Sequence, residues 1–315
     1  MLLSEFIASA LAGLESLYPR AEARSMVSIL VCERLGVQSW THIANPSFEV
    51  PEQSLAQLEA DLQKLLASEP LQYVLGYAEF YGRRFRVTKD VLIPRPETEL
   101  LVDTVLQKLK SASCGCGGAP KILDLCTGSG CIAWTLALEP VGAHITAIDI
   151  SPAALAIARS QFAAELSRGA SGNSIVSGRE VTFIEADVLD LSEEGLSGAH
   201  SKLALGQFDV IVSNPPYVME QEKALMRSNV LDHEPALALF VPDDDPLIFY
   251  RAIAHHASRL LSAHGWGIVE INTLLAEPTA ECFRQAGLQD VTILPDLSGK
   301  PRFVSFSSGT PPLSR

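Results

Sequence analysis

The tetrapeptide Asn214-Pro215-Pro216-Tyr217 combines residue types able to work on an amino group. It follows the run Phe208-Asp209-Val210-Ile211-Val212-Ser213, whose β-branched apolar residues predict a buried strand. Each proline fixes its own φ and turns the residue before it toward extended backbone, and neither has an N–H. The strand therefore ends in a stiff turn that presents two acceptors, the side-chain amide oxygen of Asn214 and the backbone carbonyl of Pro215. A planar –NH2 group set against them donates both hydrogens, with Tyr217 as an aromatic wall. That arrangement suits chemistry on a conjugated amine, a poor nucleophile that needs to be held. The competing reading is an ordinary proline-rich turn, which is what most Asn-Pro turns are.

A second constellation lies upstream. Ile122-Leu123-Asp124-Leu125-Cys126-Thr127-Gly128-Ser129-Gly130 predicts a strand, a glycine-rich turn and a helix. Turns of this kind at the carboxyl end of the first strand take nucleotide-like ligands in open α/β sheets. The loop lacks the third glycine of G-x-G-x-x-G and the Lys-Ser/Thr of a phosphate loop, which counts against dinucleotides and nucleoside triphosphates. Asp149 ends the next predicted strand, where it can accept from both ribose hydroxyls. Asp187 follows the third, suitably placed for an adenine amino group. Acceptors for ribose and adenine without a phosphate partner suit S-adenosylmethionine, whose methionine end is zwitterionic. Helix N-capping is the competing role for both aspartates, given Ser151-Pro152 after the first.

Positioning these residues takes a sizeable scaffold, and 315 residues suffice for one large domain and a small one. Hydrophobic residues at 47% and charged residues at 19% support a filled core and exclude a disordered chain. The formal net charge of -13 counts against a stable nucleic acid partner, since gripping phosphates needs a basic face. The cysteines Cys32, Cys114, Cys116, Cys126, Cys131 and Cys282 show no disulfide framework for a chain this long. Cys114-Gly115-Cys116-Gly117-Gly118 reads as a linker, because a bare C-x-C among Ser and Gly is a weak metal or redox signal. His255-His256 falls in an apolar-periodic helix and reads as helix surface or core, so no metal is expected. No apolar stretch of about 20 residues and no signal-type N-terminus is present, so no membrane association and a cytoplasmic location are expected.

Residues 1 to about 70 carry apolar positions at helical spacing, punctuated by Pro19, Gly36, Pro46, Pro51 and Pro70, and predict a small helical bundle. From 72 to 93, aromatic and branched residues with Gly76 and Gly82 between them predict a β-hairpin. A helix follows over 97–110. Beyond Pro120, strands are predicted at 121–125, 144–148, 181–186, 208–212 and 267–271, and helices at 130–138, 152–166, 247–261 and 274–286. Two late strands, 291–295 and 302–306, are joined by a short connection and should run antiparallel. The sum is an α/β chain, a parallel sheet covered by helices on both faces with an antiparallel end. Stretches 167–179 and 192–206 read as solvated insertions.

Together these motifs resemble the release-factor glutamine N5-methyltransferases, the HemK-type protein-(glutamine-N5) methyltransferases. The matching segments are Pro70-Leu71-Gln72-Tyr73-Val74-Leu75-Gly76, Glu79-Phe80-Tyr81-Gly82 and Val91-Leu92-Ile93-Pro94-Arg95-Pro96-Glu97-Thr98-Glu99. The loop 124–130, Asn214-Pro215-Pro216-Tyr217, Glu234-Pro235-Ala236-Leu237 and the late Asp296, Gly299 and Arg302 continue the series in order. The resemblance spans about residues 68 to 307, and Arg95-Pro96-Glu97-Thr98-Glu99 is its discriminating segment. Cys126 stands where the family usually has Gly and Gln161 where Asn is common. Asn272 and Leu275 break the Glu-Ile-Gly…Gln pattern after Glu270-Ile271.

The resemblance implies a class I S-adenosylmethionine-dependent methyltransferase (Rossmann-like) sheet with an N-terminal helical domain. The expected boundaries are a substrate-docking domain at 1–71, a hairpin linker at 72–95 and a methyltransferase domain at 96–315. It implies methyl transfer to N5 of the glutamine in the Gly-Gly-Gln motif of class I peptide-chain release factors, with S-adenosylhomocysteine as the second product. Asn214, Pro215, Pro216 and Tyr217 are then the catalytic turn, clamping the amide without a dedicated general base. Cofactor contacts fall to Cys126, Thr127, Gly128, Ser129, Gly130, Asp149, Asp187, Val188 and Asn214. Glu97 and Glu99 read as first-turn helix acids, with closure of the cofactor site as their alternative role. The rival functions are methylation of a nucleobase exocyclic amine or of a ribosomal-protein glutamine, and a non-catalytic binding protein on a decayed methyltransferase fold.

Overall fold

The computed structural model describes residues 1–112, 119–161, 179, 181–191 and 207–309. The expected linker at 114–118 and the insertions at 167–179 and 192–206 lie outside these residues, Arg179 apart, as does the expected helical stretch beyond 161. The chain divides into two compact units, Met1–Tyr77 with Met226–His233, and Ala78–Leu225 with Glu234–Arg315.

The first unit is helical. Helix α1 (Leu3–Leu14) buries Leu3, Phe6, Ala10 and Leu14, spaced so that they share one face. They pack against Met26, Val27, Leu30 and Val31 of α2 (Arg20–Leu35). A four-residue turn, α3 (Thr41–Ala44), precedes α4 (Glu52–Leu66), whose Leu58, Leu62 and Leu65 complete the core. Pro19 and Pro51 immediately precede α2 and α4, where a missing N–H leaves no helical bond unmade. Residues 72–75, expected to open the hairpin, are instead helical in α5 (Leu71–Leu75). Pro70 leads into this turn, Gly76 ends it at φ +84°, and Leu71 and Val74 both face the bundle core. A further departure is that Met226–His233, expected within the methyltransferase domain, belongs to this unit. There Arg227 pairs with Glu22 at 2.9 Å and the His233 ring meets the Ala67 carbonyl at 3.2 Å.

In the second unit the hairpin is short, β1 (Tyr77–Phe80) and β2 (Arg83–Arg86), joined by Tyr81 and Gly82. Both turn residues have positive φ, 49° and 70°, as a type I′ hairpin turn requires. After α6 (Pro96–Ala112) the chain enters β3 (Lys121–Leu125), α7 (Cys131–Leu138), β4 (His144–Asp149), α8 (Pro152–Ser160), β5 (Val181–Glu185) and β6 (Phe208–Ser213). A two-stranded pair, β7 (Val218–Met219) and β8 (Phe240–Val241), precedes the helix Ile248–Leu260 and β9 (Leu261–Glu270). The helix Ala276–Gln285, β10 (Gln289–Pro295) and β11 (Pro301–Ser307) complete the unit.

Among the described residues the main sheet has seven strands in the order β10-β11-β9-β6-β3-β4-β5. Strands β5, β4, β3, β6 and β9 are mutually parallel, and β11 runs antiparallel to both β9 and β10. Successive residues of the strands alternate between two apolar layers. Ile122, Ala147, Val210, Val212 and Ile268 pack toward α6, α7 and α8. Leu123, Leu125, Ile148, Ile211 and Val269 pack toward the helices Ile248–Leu260 and Ala276–Gln285. The expected parallel sheet with an antiparallel end is therefore the architecture seen. Strand β9 begins six residues before its expected start at 267, with an irregular register against β6 between Phe208 and Val210.

The helical unit contains one buried polar node. Asp61, fully buried on α4, accepts from Arg34 Nε at 2.6 Å and Gln57 Nε2 at 2.9 Å, while Arg34 Nη2 donates to the Val74 carbonyl at 2.8 Å. This ties α2, α4 and α5 together. Asp61→Ala removes the acceptor and strands two donors, so it should lower the unfolding free energy of this unit by about 2 kcal/mol. Urea unfolding followed by circular dichroism reads this as a lowered midpoint; an unmoved midpoint contradicts it.

Candidate active site

Parallel pairing of β3 with β6 sets Leu125 beside Ser213, so the next residues, Cys126 and Asn214, leave the same edge of the sheet as neighbours. The Ser213 hydroxyl donates to the Leu125 carbonyl at 2.7 Å and pins the two strand ends. On the other side of β3, β4 ends in Asp149, which lies opposite Glu185 of β5. The glycine turn thus sits between Asp149 and Asn214, where the strand order reverses and open α/β sheets form their crevice.

A cavity of about 300 Å³ opens there. Cys126, Thr127, Gly128, Ser129, Asp149, Asp187, Val188, Asn214 and Pro216 line it, so most of the residues singled out in sequence are brought together. Three are not on its wall: Gly130, Pro215 and Tyr217. Gly130 serves packing, since at φ +78° an added Cβ would lie 3.0 Å from the Ala158 Cβ and separate α7 from α8. Pro215 is buried, and its carbonyl accepts no hydrogen bond from the described residues. Tyr217, expected as the aromatic wall, turns inward. Its hydroxyl donates to Glu270 Oε1 at 3.1 Å and its ring packs on the core beneath the helix Ile248–Leu260.

Asp149 is the hub of the glycine turn. It accepts from the Gly128 N–H at 2.7 Å and from the Ser151 N–H at 2.9 Å, which fixes the loop against the start of α8. Ser151 caps that helix itself, accepting from the Ala154 N–H at 3.1 Å. Burial pushes the Asp149 carboxyl up, and the backbone N–H groups pull the other way. Asp187 accepts from the Leu189 N–H at 2.8 Å, so the competing capping role is realised there. A carboxylate offers about four acceptor directions, and both aspartates keep some for a ligand. Buried His256 holds the Val188 carbonyl at 2.8 Å and so steadies the Asp187–Val188 corner; exposed His255 beside it takes no such part. Burial lowers the His256 pKa.

The cavity wall is acidic. Asp90, Asp149 and Asp187 line it, no lysine does so among the described residues, and Arg95 is paired with Glu234 at 2.6 Å. Beneath the glycine turn, fully buried Asp124 accepts from the Thr127 hydroxyl at 2.5 Å, while its Oδ1 has no hydrogen-bond partner. Burial pushes this carboxyl up to about 7 against the lowering pull of Thr127. Cys126 lies on the wall at φ +60°, in the left-handed region that favours glycine, and burial pushes its thiol up.

Two residues noted as unusual in sequence have clear work. Gln161 clamps β2 to the glycine loop: its Oε1 accepts the Arg86 N–H at 2.6 Å, and its Nε2 donates to the Arg86 carbonyl at 2.8 Å and the Ser129 carbonyl at 2.9 Å. Asn272 donates to the Tyr217 carbonyl at 3.1 Å and to Glu222 at 2.9 Å, tying the far end of the Asn-Pro-Pro turn to the end of β9. Leu275 sits at the junction of a 3₁₀ turn and the following helix.

Sequence reasoning missed Thr98, Arg95, Glu234 and Glu270 as site residues. Thr98 lines the cavity, while Glu97 and Glu99 on either side do not; Glu99 accepts the Tyr81 N–H at 2.8 Å. Glu234 is nearly fully buried and holds both the Arg95 guanidinium and, at 3.1 Å, the Ile93 N–H. A usable signal for Glu270 was its place at the end of an apolar strand, the criterion applied to Asp149 but not to it.

The seven-stranded sheet with a cavity at its parallel strand ends is the architecture of the class I methyltransferases, and comparison with known proteins agrees. Residues 118–265 match the family model of a methyltransferase domain. The N-terminal domain of human METTL16 in complex with SAH shares the fold, with TM-score 0.50 and 17% identity over 78% of this chain and 83% of that one. Residues 5–76 match the PrmC N-terminal domain. A release factor glutamine methyltransferase of Bacteroides thetaiotaomicron is 39% identical, covering 93% of this chain and 95% of its own. One from Flavobacterium psychrophilum is 36% identical, covering 98% and 99%. The chain belongs to the release factor glutamine methyltransferase family, and it is an enzyme.

Two outcomes follow from the buried loop. Folding raises the Asp124 pKa to about 7, so its neutral form favours the folded state; that contribution is full below the ordinary carboxylate range and is lost as pH rises through about 7. The urea midpoint of wild type should therefore fall between about pH 4 and about pH 7 more steeply than that of Asp124→Asn. Cys126→Gly should raise the unfolding free energy by about 1 kcal/mol by relieving the left-handed backbone. A lower midpoint for Cys126→Gly in urea contradicts that account.

Proposed function

We propose that the enzyme transfers a methyl group from S-adenosylmethionine to the side-chain amide nitrogen, N5, of the glutamine in the Gly-Gly-Gln motif of class I peptide-chain release factors, in the cytoplasm. The products are N5-methylglutamine and S-adenosylhomocysteine. The observation that carries this reading is Asn214 on the cavity wall, its Nδ2 bonded to Thr98 and its Oδ1 accepting no hydrogen bond from the described residues, next to a glycine turn held by a strand-end aspartate. The names of the full-length relatives support the substrate. No helix among the described residues is long and apolar enough to cross a membrane.

The residues present fit the cofactor. Among the described residues the cavity is lined by three aspartates and its arginine, Arg95, is paired with Glu234, which suits a ligand with a positive sulfonium and ammonium. Thr127, Gly128, Ser129, Asp149, Asp187 and Val188, with Cys126 and Asn214, would hold it, and Gly130 keeps the turn close to α8. Bound there, the cofactor supplies an electrophilic methyl group.

The chain's own residues then orient the acceptor. Asn214 Oδ1 and the Pro215 carbonyl accept the two amide hydrogens of the glutamine and aim its nitrogen, whose lone pair is delocalised and weakly nucleophilic. Both acceptors also stabilise positive charge developing on that nitrogen. Orientation of this kind contributes several kcal/mol, on the order of 7 or more at best. The methylated amide carries an extra proton, is strongly acidic and loses that proton to water, so no dedicated base is needed. Pro216, buried and without an N–H, keeps the turn rigid. Tyr217 supports the turn from the inside through Glu270.

Asn214→Ala should lower methyl transfer by about 100-fold or more, a much larger loss than any it causes in cofactor affinity. Mass spectrometry of the Gly-Gly-Gln tripeptide after incubation of release factor, enzyme and cofactor measures the transfer. Methyl label recovered in DNA or RNA, with the release factor unlabelled, overturns the assignment.

A further inference from the structure

We propose that Thr98 and Glu270 are positioning residues that set which end of the Asn214 amide faces the cavity. The inference rests on the amide-clamp reading above. A clamp needs Asn214 to present oxygen, yet the side-chain amide is nearly symmetric in shape, and either end fits the same space.

A directed chain of hydrogen bonds breaks that symmetry. The Thr98 hydroxyl donates to Glu270 Oε2 at 2.7 Å, and Asn214 Nδ2 donates to Thr98 Oγ1 at 3.2 Å. The Tyr217 hydroxyl donates to the other carboxylate oxygen, Oε1, at 3.1 Å. A hydroxyl has one hydrogen, and an ionised carboxylate only accepts. With its hydrogen committed to Glu270, Thr98 can only accept from Asn214. The NH2 end of Asn214 is thereby drawn inward, and Oδ1 is left for the cavity, where no described residue donates to it. Reversed, Asn214 would set its own N–H groups against the N–H groups of the substrate.

The setting suits such a chain. Thr98 and Glu270 are 2% and 1% exposed, so water does not compete for these bonds and the polarity of the chain persists. Burial pushes the Glu270 carboxyl up, Glu97 adds to that, and the two hydroxyl donors with the Arg302 charge pull the other way. The three groups come from the first turn of α6, the end of β9 and the turn after β6.

The test uses the full chain with S-adenosylmethionine and a class I release factor. Thr98→Val keeps the shape and removes the hydroxyl; it should lower kcat by about tenfold or more, with the cofactor dissociation constant within about twofold of wild type. Thr98→Ser restores the hydroxyl and should return kcat to within about threefold. Glu270→Gln replaces one acceptor with a donor and should lower kcat with cofactor binding kept, which provides a second arm if Thr98→Val does not fold. Wild-type kcat in Thr98→Val or Glu270→Gln, or an equal loss in Thr98→Ser and Thr98→Val, overturns the inference. If wild type methylates the glutamine and Asn214→Ala does not, an active Thr98→Val removes this inference alone. If wild type leaves the glutamine unmethylated, the clamp reading and the inference fall together.

Discussion

Parallel pairing between β3 and β6 is the constraint on which the site depends. Because Leu125 and Ser213 are in register, two turns nearly 90 residues apart in sequence emerge beside one another. Register in a parallel pair is set along its whole length by which side chains reach which apolar layer, so a slip of one residue would turn Leu123 and Ile211 out of one core and into the other. The Ser213 hydroxyl on the Leu125 carbonyl adds a local lock at the point where the ladder ends. Every other site feature is arranged around that edge.

Burial of charge is the second organising theme. Asp124, Asp149, Glu234 and Glu270 are all sequestered to a degree that would be costly without partners. Three of them solve the problem by tying distant segments together. Asp149 holds the glycine turn to α8, Glu234 holds the segment around Ile93 and Arg95, and Glu270 joins α6 to the Asn-Pro-Pro turn through Thr98 and Tyr217. Asp124 is the exception, with one oxygen left unpartnered and its carboxyl raised to about 7.

Much of this was legible in the sequence, for physical reasons. Branched residues bounded by turn formers identified the strands, and the late pair separated by a short connection had to be antiparallel. Local chemistry also identified the glycine turn and the capping options at Asp149 and Asp187, because those depend on neighbours within a few residues. Where the competing forces were tertiary, the reading missed. Residues 72–75 carry strand-forming types but turn helical because Leu71 and Val74 find a core, and Tyr217 faces inward because Glu270 waits there for its hydroxyl. Met226–His233 joins the helical unit through contacts to Glu22 and Ala67 that no local pattern announces.

The residue types alone settled that this chain carries a stiff acceptor turn after a strand, a glycine turn without phosphate chemistry and a ladder of strand-end carboxylates. Those properties live in covalent structure and short-range backbone preference. Only the folded chain decided that Asn214 meets Cys126, that Gly130 serves packing and that Thr98, Arg95, Glu234 and Glu270 belong to the site. A hydrogen bond across 172 residues of sequence, such as Thr98 to Glu270, has no local signature, because its two ends become neighbours only when sheet and helices pack.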